Sequence, residues 1–236
     1  MEAIAEIAQE ITLSLLSDNR CENCGFGLRH RDKTGLRKWC KRCIEVYNRK
    51  EQLSEYKAEQ IIMELVEPLY YEATIETLDQ AIQDKLSELQ TGQDLFLFGA
   101  VGVGKTHGMA ALIRKYVYEG FRCERINFDS FCVKVRSTFS PAAKVTAWEM
   151  TEELKNIDVL CIDDLGLRST PESQFAYDTF YDLLNKRQEK MLPTFISSNK
   201  SIEQLGQTFD SRIASRLSTA LVVKLDGTDK RKGGSK

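Results

Sequence analysis

The segment GAVGVGKT at residues 99–106 constrains the fold of this chain more than any other feature, because it matches the P-loop pattern Gly-x4-Gly-Lys-Thr. The apolar run LFLFG at 95–99 predicts a short buried strand directly before the loop, and a helical pattern follows it. A strand, a glycine-rich turn and a helix in this order hold phosphate on backbone amides at a helix N-terminus. The sequence therefore predicts a nucleotide site.

Each residue type in this motif has a chemical role. Gly99, Gly102 and Gly104 permit the tight backbone path. Lys105 can reach the β and γ phosphates of ATP, and Thr106 offers a hydroxyl to Mg²⁺. The predicted ATP-binding residues are Gly99, Ala100, Val101, Gly102, Val103, Gly104, Lys105, Thr106 and His107. His107 is more simply a structural residue of the helix than a catalytic one.

A second strand pattern, IDVLCIDD at 157–164, ends in two carboxylates. After a P-loop, this arrangement places Asp163 on Mg²⁺ and leaves Asp164 to orient or deprotonate water. The alternative is that two acids cap an ordinary strand before a turn. A further strand ends in Ser197, Ser198 and Asn199, where a polar side chain beside the γ-phosphate can help to place the attacking water. The predicted catalytic set is thus Lys105, Asp163, Asp164 and Asn199, together with an arginine discussed below.

Apolar runs alternate with helical patterns along the rest of the chain, and this alternation predicts an α/β fold with a parallel sheet covered by helices on both faces. The predicted strands beyond the first are 121–127, 157–162, 193–198 and 220–225. The predicted helices near the N-terminus are 2–17, 45–67 and 75–89. We predict an N-terminal domain at 1–68 that includes a connector helix, a second domain at 69–226 and a basic tail at 227–236.

Composition excludes several classes of protein. With 42% hydrophobic and 29% charged residues, the chain is neither a disordered protein nor a fibre. Its longest stretch without a charge, residues 95–104, is half of the roughly 20 apolar residues that a membrane helix needs. Seven cysteines without a secretory signal favour reduced thiols, so we expect a cytoplasmic protein that does not bind membranes.

Four of the cysteines, Cys21, Cys24, Cys40 and Cys43, have the spacing Cys-x2-Cys-x15-Cys-x2-Cys. Two such knuckles in a reducing compartment predict a structural Zn²⁺ ion held by four thiolates. An iron–sulfur cluster and four unrelated thiols are the alternatives. The metal would be structural because all four positions are filled, and its binding would supply the folding energy of a module too small to bury a core.

Residues 20–50, around these cysteines, are basic, with ten Lys or Arg against three Asp or Glu. Since the whole chain has a net charge of −2, the remainder is acidic. The basic segment can bind nucleic acid or dock a protein partner, and part of its charge balances the thiolates.

Lys105, the Asp163–Asp164 pair and Asn199 follow one another along the chain in the order found in AAA+ ATPases, and the chain resembles that family. In this resemblance Asn199 would be the sensor 1 residue. The runs GVGKTHGMAALI, VLCIDDLG, YDLLNKRQEKMLPTFISSN and SRIASRL resemble the DnaC/DnaI helicase-loader and IstB transposition-helper branch, over about residues 70–231. The resemblance implies a five-stranded P-loop AAA+ (ASCE) sheet without a C-terminal lid.

The resemblance also implies further functional residues. Arg216, with Arg212 beside it, matches an arginine that acts in trans, so ATP binding would drive self-assembly into a ring or spiral. Arg231 can serve as a sensor 2 arginine, although a solvated tail is an equal alternative. The segment 129–156 falls where these proteins insert an extra helix that holds single-stranded DNA, and its candidate DNA contacts are Lys134, Arg136 and Lys144.

Three functions follow as hypotheses. The first is an ATP-dependent replication protein of a bacterium, phage or mobile element, which loads the hexameric replicative DNA helicase onto single-stranded DNA and grips the helicase through its zinc domain. The second is an ATP-dependent transposition helper that remodels DNA and recruits a transposase. The third is a zinc-dependent regulator that uses ATP only as a binding switch.

Overall fold

The computed structural model describes Cys21 and residues 40–140, 143–166, 173–208 and 211–229. The chain divides into two compact units, residues 1–52 and residues 53–236. The predicted helix at 2–17, Cys24 and Arg231 lie outside the described residues. The predicted domain limits at residues 68 and 226 stay predictions.

The prediction of one continuous connector helix at 45–67 is wrong, because the chain forms two helices there. Helix α1 spans Lys41–Gln52 in the first unit, and helix α2 spans Glu55–Leu65 in the second. Ser54 is the N-cap of α2 and its hydroxyl accepts a hydrogen bond from Lys57 N, so a new helix begins at this serine. The absence of glycine and proline from residues 45–67 therefore did not make the segment one continuous helix.

The second unit contains a five-stranded sheet in which every pairing is parallel and the strand order is β2-β3-β4-β1-β5. The strands are β1 Leu95–Phe98, β2 Cys123–Asn127, β3 Val159–Asp163, β4 Thr194–Ser198 and β5 Leu221–Lys224. All five predicted strands are therefore confirmed, and so is the α/β class. Because the strands are parallel, the carboxyl ends of β1, β3 and β4 meet at one edge of the sheet.

Helices alternate with these strands and cover both faces of the sheet. They are α3 Gln80–Ser87, α4 Lys105–Tyr118, α5 Phe128–Ser137, α6 Ala147–Leu154, α7 Ser173–Glu189, α8 Ile202–Thr208 and α9 Ser211–Leu217. Alternate residues of β1 point to opposite faces. Leu95 and Leu97 pack in the apolar cluster that contains α4, whereas Phe96 packs in the cluster that contains α5 and α7.

Helix α2 is joined to helix α4 by an ion pair between Glu59 and Arg114, whose Nη2 donates to Glu59 Oε2 at 3.2 Å. Arg114 Nε also donates to Ala73 O at 3.2 Å, and the hydroxyl of Tyr118 donates to Glu59 Oε1 at 2.6 Å. These bonds hold the segment before β1 against α4, the helix that follows the P-loop.

The predicted helix at 75–89 is shorter than expected. A 3-10 turn, Ile75–Thr77, precedes α3, and Leu78 between them is extended. Thr77 closes this turn, since its hydroxyl accepts from Thr74 N at 3.2 Å and donates to Thr74 O at 2.7 Å. Across the described residues no helix has the length and apolar character needed to cross a membrane.

Candidate nucleotide-binding site

The P-loop joins the end of β1 to the first turn of α4, as the motif requires. Gly102 and Gly104 have φ angles of +81° and +100°, a region in which a side chain is strained. Gly99 is required for a different reason, because a Cβ atom there would lie 2.2 Å from the carbonyl oxygen of Leu225. The loop therefore keeps its path only with glycine at these three positions.

Lys105 is buried at the centre of the loop. Its Nζ donates to the carbonyl oxygens of Gly99 at 2.9 Å and Ala100 at 2.8 Å, and to Asn199 Oδ1 at 2.5 Å. The predicted sensor residue, at the end of β4, is thus brought to the predicted phosphate-binding lysine. A phosphate oxygen that entered the loop would offer this ammonium a charged acceptor in place of neutral ones.

The two aspartates at the end of β3 share one buried hydroxyl on β4, Asp163 through its carboxylate and Asp164 through its backbone N–H. The hydroxyl of Ser197 donates to Asp163 Oδ1 and accepts from the backbone N–H of Asp164 at 3.0 Å. Asp163 is buried, whereas Asp164 is exposed and has a φ angle of +57°. The backbone therefore turns sharply between the acids and directs them to different environments, which two separate roles require. Sequence reasoning noted Ser197 only as part of a polar strand end.

Sequence reasoning missed Arg125 altogether. Its Nη2 donates to Asp163 Oδ2 at 2.8 Å, and its Nη1 donates to Glu67 Oε2 at 2.6 Å. Burial of the guanidinium is the largest single influence on the pKa of Arg125 and lowers it. The hydrogen bonds and charges of Glu67 and Asp163 together outweigh burial, so the pKa of Arg125 is raised. A cation in the middle of a buried strand pattern, FRCERIN, was the available signal.

A cavity of about 700 Å³ lies over the P-loop. One wall is apolar and consists of Leu69, Tyr70, Leu78 and Ile82. The sequence-predicted residues that line this nucleotide cavity are Val101, Gly102, Val103, Gly104, Lys105, Thr106, His107, Asp164 and Asn199. An apolar wall facing polar groups suits a ligand with an aromatic base at one end and phosphates at the other.

His107 faces this cavity but is engaged with the segment before α3. Its Nε2 lies 2.7 Å from the hydroxyl of Thr77, and its ring meets Tyr70 edge-on. These contacts favour the structural interpretation of His107.

A second cavity of about 750 Å³ adjoins the first, and Thr106 and Asp164 line both. Asp163 lines the second cavity. A hydroxyl and carboxylates at one place form the hard oxygen donor set that Mg²⁺ prefers, so these residues fit the ion that accompanies a bound nucleotide.

In the first unit, three of the four predicted zinc ligands come together. The Sγ atoms of Cys21, Cys40 and Cys43 all lie within 4.8 Å of one another and are buried. Cys21 Sγ and Cys43 Sγ are 3.7 Å apart. Two sulfurs that each bind Zn²⁺ at about 2.3 Å with tetrahedral geometry are separated by roughly 3.8 Å, so the spacing fits a shared zinc ion.

The two candidate trans-acting arginines lie on α9 against one tyrosine of α7. The guanidinium carbons of Arg212 and Arg216 lie 4.9 and 5.7 Å from the ring centroid of Tyr181. Arg212 also donates to Asp178 at 2.7 Å, and Arg216 donates to the Tyr181 hydroxyl at 3.3 Å. Tyr181 therefore orients both side chains.

The segment after β2, where the resemblance predicts an extra helix, contains two helices, α5 and α6. The candidate DNA contacts Lys134, Arg136 and Lys144 are all exposed on it. Trp148 on α6 is exposed too, and an exposed indole ring offers a stacking surface for a base.

Comparison with known proteins finds relatives by sequence. The replicative helicase loader DnaI of Bacillus subtilis (strain 168) is 27% identical over 158 residues, which are 61% of this chain and 50% of that protein. The chromosomal replication initiator protein DnaA of Rickettsia bellii (strain OSU 85-389) is 31% identical over 154 residues, which are 63% of this chain and 31% of that protein. The chain thus spans half the length of the first relative and less of the second.

The crystal structure of DnaI shares the fold, with a TM-score of 0.56 and 23% identity over 73% of this chain and 93% of that one. The resemblance to DnaI-like AAA+ proteins is therefore confirmed. Residues 77–224, well over half of the chain, match the family of the bacterial DnaA ATPase domain, and the chain belongs to that family.

Proposed function

We propose that this protein is an ATP-dependent loader of the replicative DNA helicase. The observation that carries the proposal is the nucleotide cavity, in which the P-loop, Lys105 and Asn199 face an apolar wall. The similarity to DnaI favours helicase loading over the transposition role.

The residues of the site divide the work of ATP hydrolysis. Thr106 and Asp163 hold Mg²⁺, which neutralises the charge that develops on the β and γ phosphates. Lys105 binds the phosphates, and Asp164 and Asn199 orient the attacking water. The aspartate at the second acidic position has a shorter side chain than glutamate, so we expect slow hydrolysis.

Arg216 supplies positive charge to the nucleotide of a neighbouring subunit, so that hydrolysis depends on assembly of a ring or spiral. Arg212, which is paired with Asp178, supports this surface. The exposed cations Lys134, Arg136 and Lys144 contact the phosphates of single-stranded DNA, and Trp148 stacks on a base.

The N-terminal unit holds Zn²⁺ on Cys21, Cys24, Cys40 and Cys43 and grips the helicase. Its basic composition suits an acidic surface on a protein partner. The alternative partner of this unit is nucleic acid, which the same charge would attract.

The test is a set of complex masses measured by light scattering. The full chain is mixed with the host's hexameric replicative helicase or with duplex DNA, with and without ATP. A stable complex with the helicase, lost when Cys43 is replaced by serine, is expected. If only ATP-dependent filaments on duplex DNA form, helicase loading is wrong and the transposition helper becomes the better account.

A further inference from the structure

Arg125 makes two ion pairs at the edge of the nucleotide site. Its guanidinium lies 2.8 Å from Asp163 Oδ2 and 2.6 Å from Glu67 Oε2. The side chain of Asp163 is 3% exposed and that of Arg125 is 13% exposed, whereas Glu67 is 55% exposed. The buried aspartate and the outer glutamate therefore share one cation.

The sheet register explains why Arg125 and Asp163 meet. Asn127 pairs with Asp163 across the parallel strands β2 and β3, and Arg125 lies two residues before Asn127. Residues two apart along a strand point to the same face, so the side chains of Arg125 and Asp163 are diagonal neighbours on that face. A long arginine side chain spans such a diagonal.

The guanidinium of Arg125 also lies on the second cavity, which Thr106 lines too. Glu67, Arg125 and Asp163 all line the second cavity, with Thr106 and Asp164 at its junction with the nucleotide cavity. Both oxygens of Asp163 already have donors, because Ser197 bonds Oδ1 and Arg125 bonds Oδ2. Each oxygen keeps a second lone pair, so a metal ion that uses this carboxylate would share it with the guanidinium, whose positive charge opposes the approach of the ion.

We propose that Arg125 is a positioning residue that competes with Mg²⁺ for the carboxylate of Asp163, and that Glu67 sets the balance by holding the guanidinium away from it. This inference rests on the proposed function, since it takes the site to bind a nucleotide with Mg²⁺. Glu67 directly precedes the 3-10 turn Pro68–Tyr70, so the magnesium requirement is linked to the segment that forms the apolar wall.

Removal of the Arg125 guanidinium and removal of the Glu67 charge give opposite expectations. Arg125→Met removes the competitor, so the Mg²⁺ concentration for half-maximal nucleotide binding falls, by roughly tenfold for the loss of a charged hydrogen bond. Glu67→Gln removes the charge that draws Arg125 away from Asp163, so the half-maximal concentration rises. The second change is smaller, roughly two- to fivefold, because Glu67 is half exposed.

Matched controls lie on the same segments. Arg122→Met removes an arginine at the other end of the β2 segment, where its partner is Asp158. Glu64→Gln makes the same change as Glu67→Gln on an exposed residue of α2. Neither control should alter the magnesium requirement.

The experiment titrates Mg²⁺ into the full chain with a fluorescent N-methylanthraniloyl ATP at a fixed concentration and measures fluorescence anisotropy. It requires no hydrolysis. Opposite shifts for Arg125→Met and Glu67→Gln, with unchanged controls, support the proposal. Shifts in the same direction, or variants that match their controls, overturn it while leaving ATP binding intact.

If Arg125→Met does not fold, Glu67→Gln still decides the matter, because its partly exposed carboxylate is removed without leaving a buried charge alone. A half-maximal concentration in Glu67→Gln equal to that of Glu64→Gln then overturns the proposal. Absence of nucleotide binding by the wild-type chain at every Mg²⁺ concentration refutes the proposed function and this inference together.

Discussion

Ser197 and Ser198 form a matched pair that measures how strongly the acidic edge of the site is held. Both side chains are fully buried on β4. Ser197 donates to the carboxylate of Asp163, whereas Ser198 donates to the carbonyl oxygen of Leu165 at 2.6 Å. Substitution of either serine by alanine removes one hydroxyl oxygen. The two substitutions differ in the acceptor that loses its donor, which is a charged carboxylate for Ser197 and a neutral carbonyl for Ser198.

The expected loss of stability follows from these acceptors. A hydrogen bond to a charged group contributes about 1.5–3 kcal/mol, and a neutral one contributes about 1 kcal/mol. Each substitution also removes an acceptor of one backbone N–H, that of Asp164 for Ser197→Ala and that of Lys200 for Ser198→Ala, so this cost is common to both. We expect Ser197→Ala to lower the free energy of unfolding by about 2–3 kcal/mol and Ser198→Ala by about 1 kcal/mol.

Urea unfolding followed by circular dichroism measures both values, and an unchanged slope with denaturant shows that the compared states are the same. Hydrolysis of ATP should also fall further in Ser197→Ala, because Asp163 and Asp164 lose their common hydrogen-bond partner. Equal losses of stability in the two variants would refute the reasoning that Ser197 holds a charged carboxylate in place.

Two further predictions concern the zinc site and the arginines. Metal analysis of the purified chain should find one Zn²⁺ per chain. Cys43→Ser should lose it, and Cys132→Ser, at a buried cysteine of α5 outside the cluster, should retain it; zinc retained by both variants would exclude the cysteine cluster. Arg216→Ala should lower the ATPase rate of the assembled protein by roughly 10³-fold or more at unchanged ATP affinity. Arg212→Ala should lower it less, because that guanidinium is paired with Asp178; a full rate in Arg216→Ala would remove its trans role.

The sequence predicts those parts of the fold that depend on neighbouring residues along the chain. The P-loop was predictable because three glycines, a lysine and a threonine stand at fixed spacing between a strand and a helix. Four of the five strands were predictable because each contains consecutive apolar residues, whereas β2 contains Glu124 and Arg125 and is the least apolar of the five. The helix break at Ser54 was not, because a serine N-cap within a charged helical pattern is a weak local signal.

The contacts around Asp163 depend instead on the order of strands in the sheet. Arg125, Asp163 and Ser197 lie on β2, β3 and β4, and only the order β2-β3-β4 makes them neighbours. Glu67 lies still further away along the chain and reaches the site through the segment before α3. Spacing within one motif carries no information on such contacts, so sequence reasoning identified the carboxylate and missed the groups that hold it.

The central claim is that the cavity over the P-loop binds ATP through Lys105. Isothermal titration of ATP and Mg²⁺ into the wild-type chain, Lys105→Ala and Lys115→Ala tests it most directly, since Lys115 is an exposed lysine of the same helix. Wild type and Lys115→Ala should bind one ATP per chain with the same affinity, and Lys105→Ala should bind at least roughly 10- to 100-fold more weakly while remaining folded by circular dichroism. Unchanged ATP affinity in a folded Lys105→Ala protein would contradict the claim.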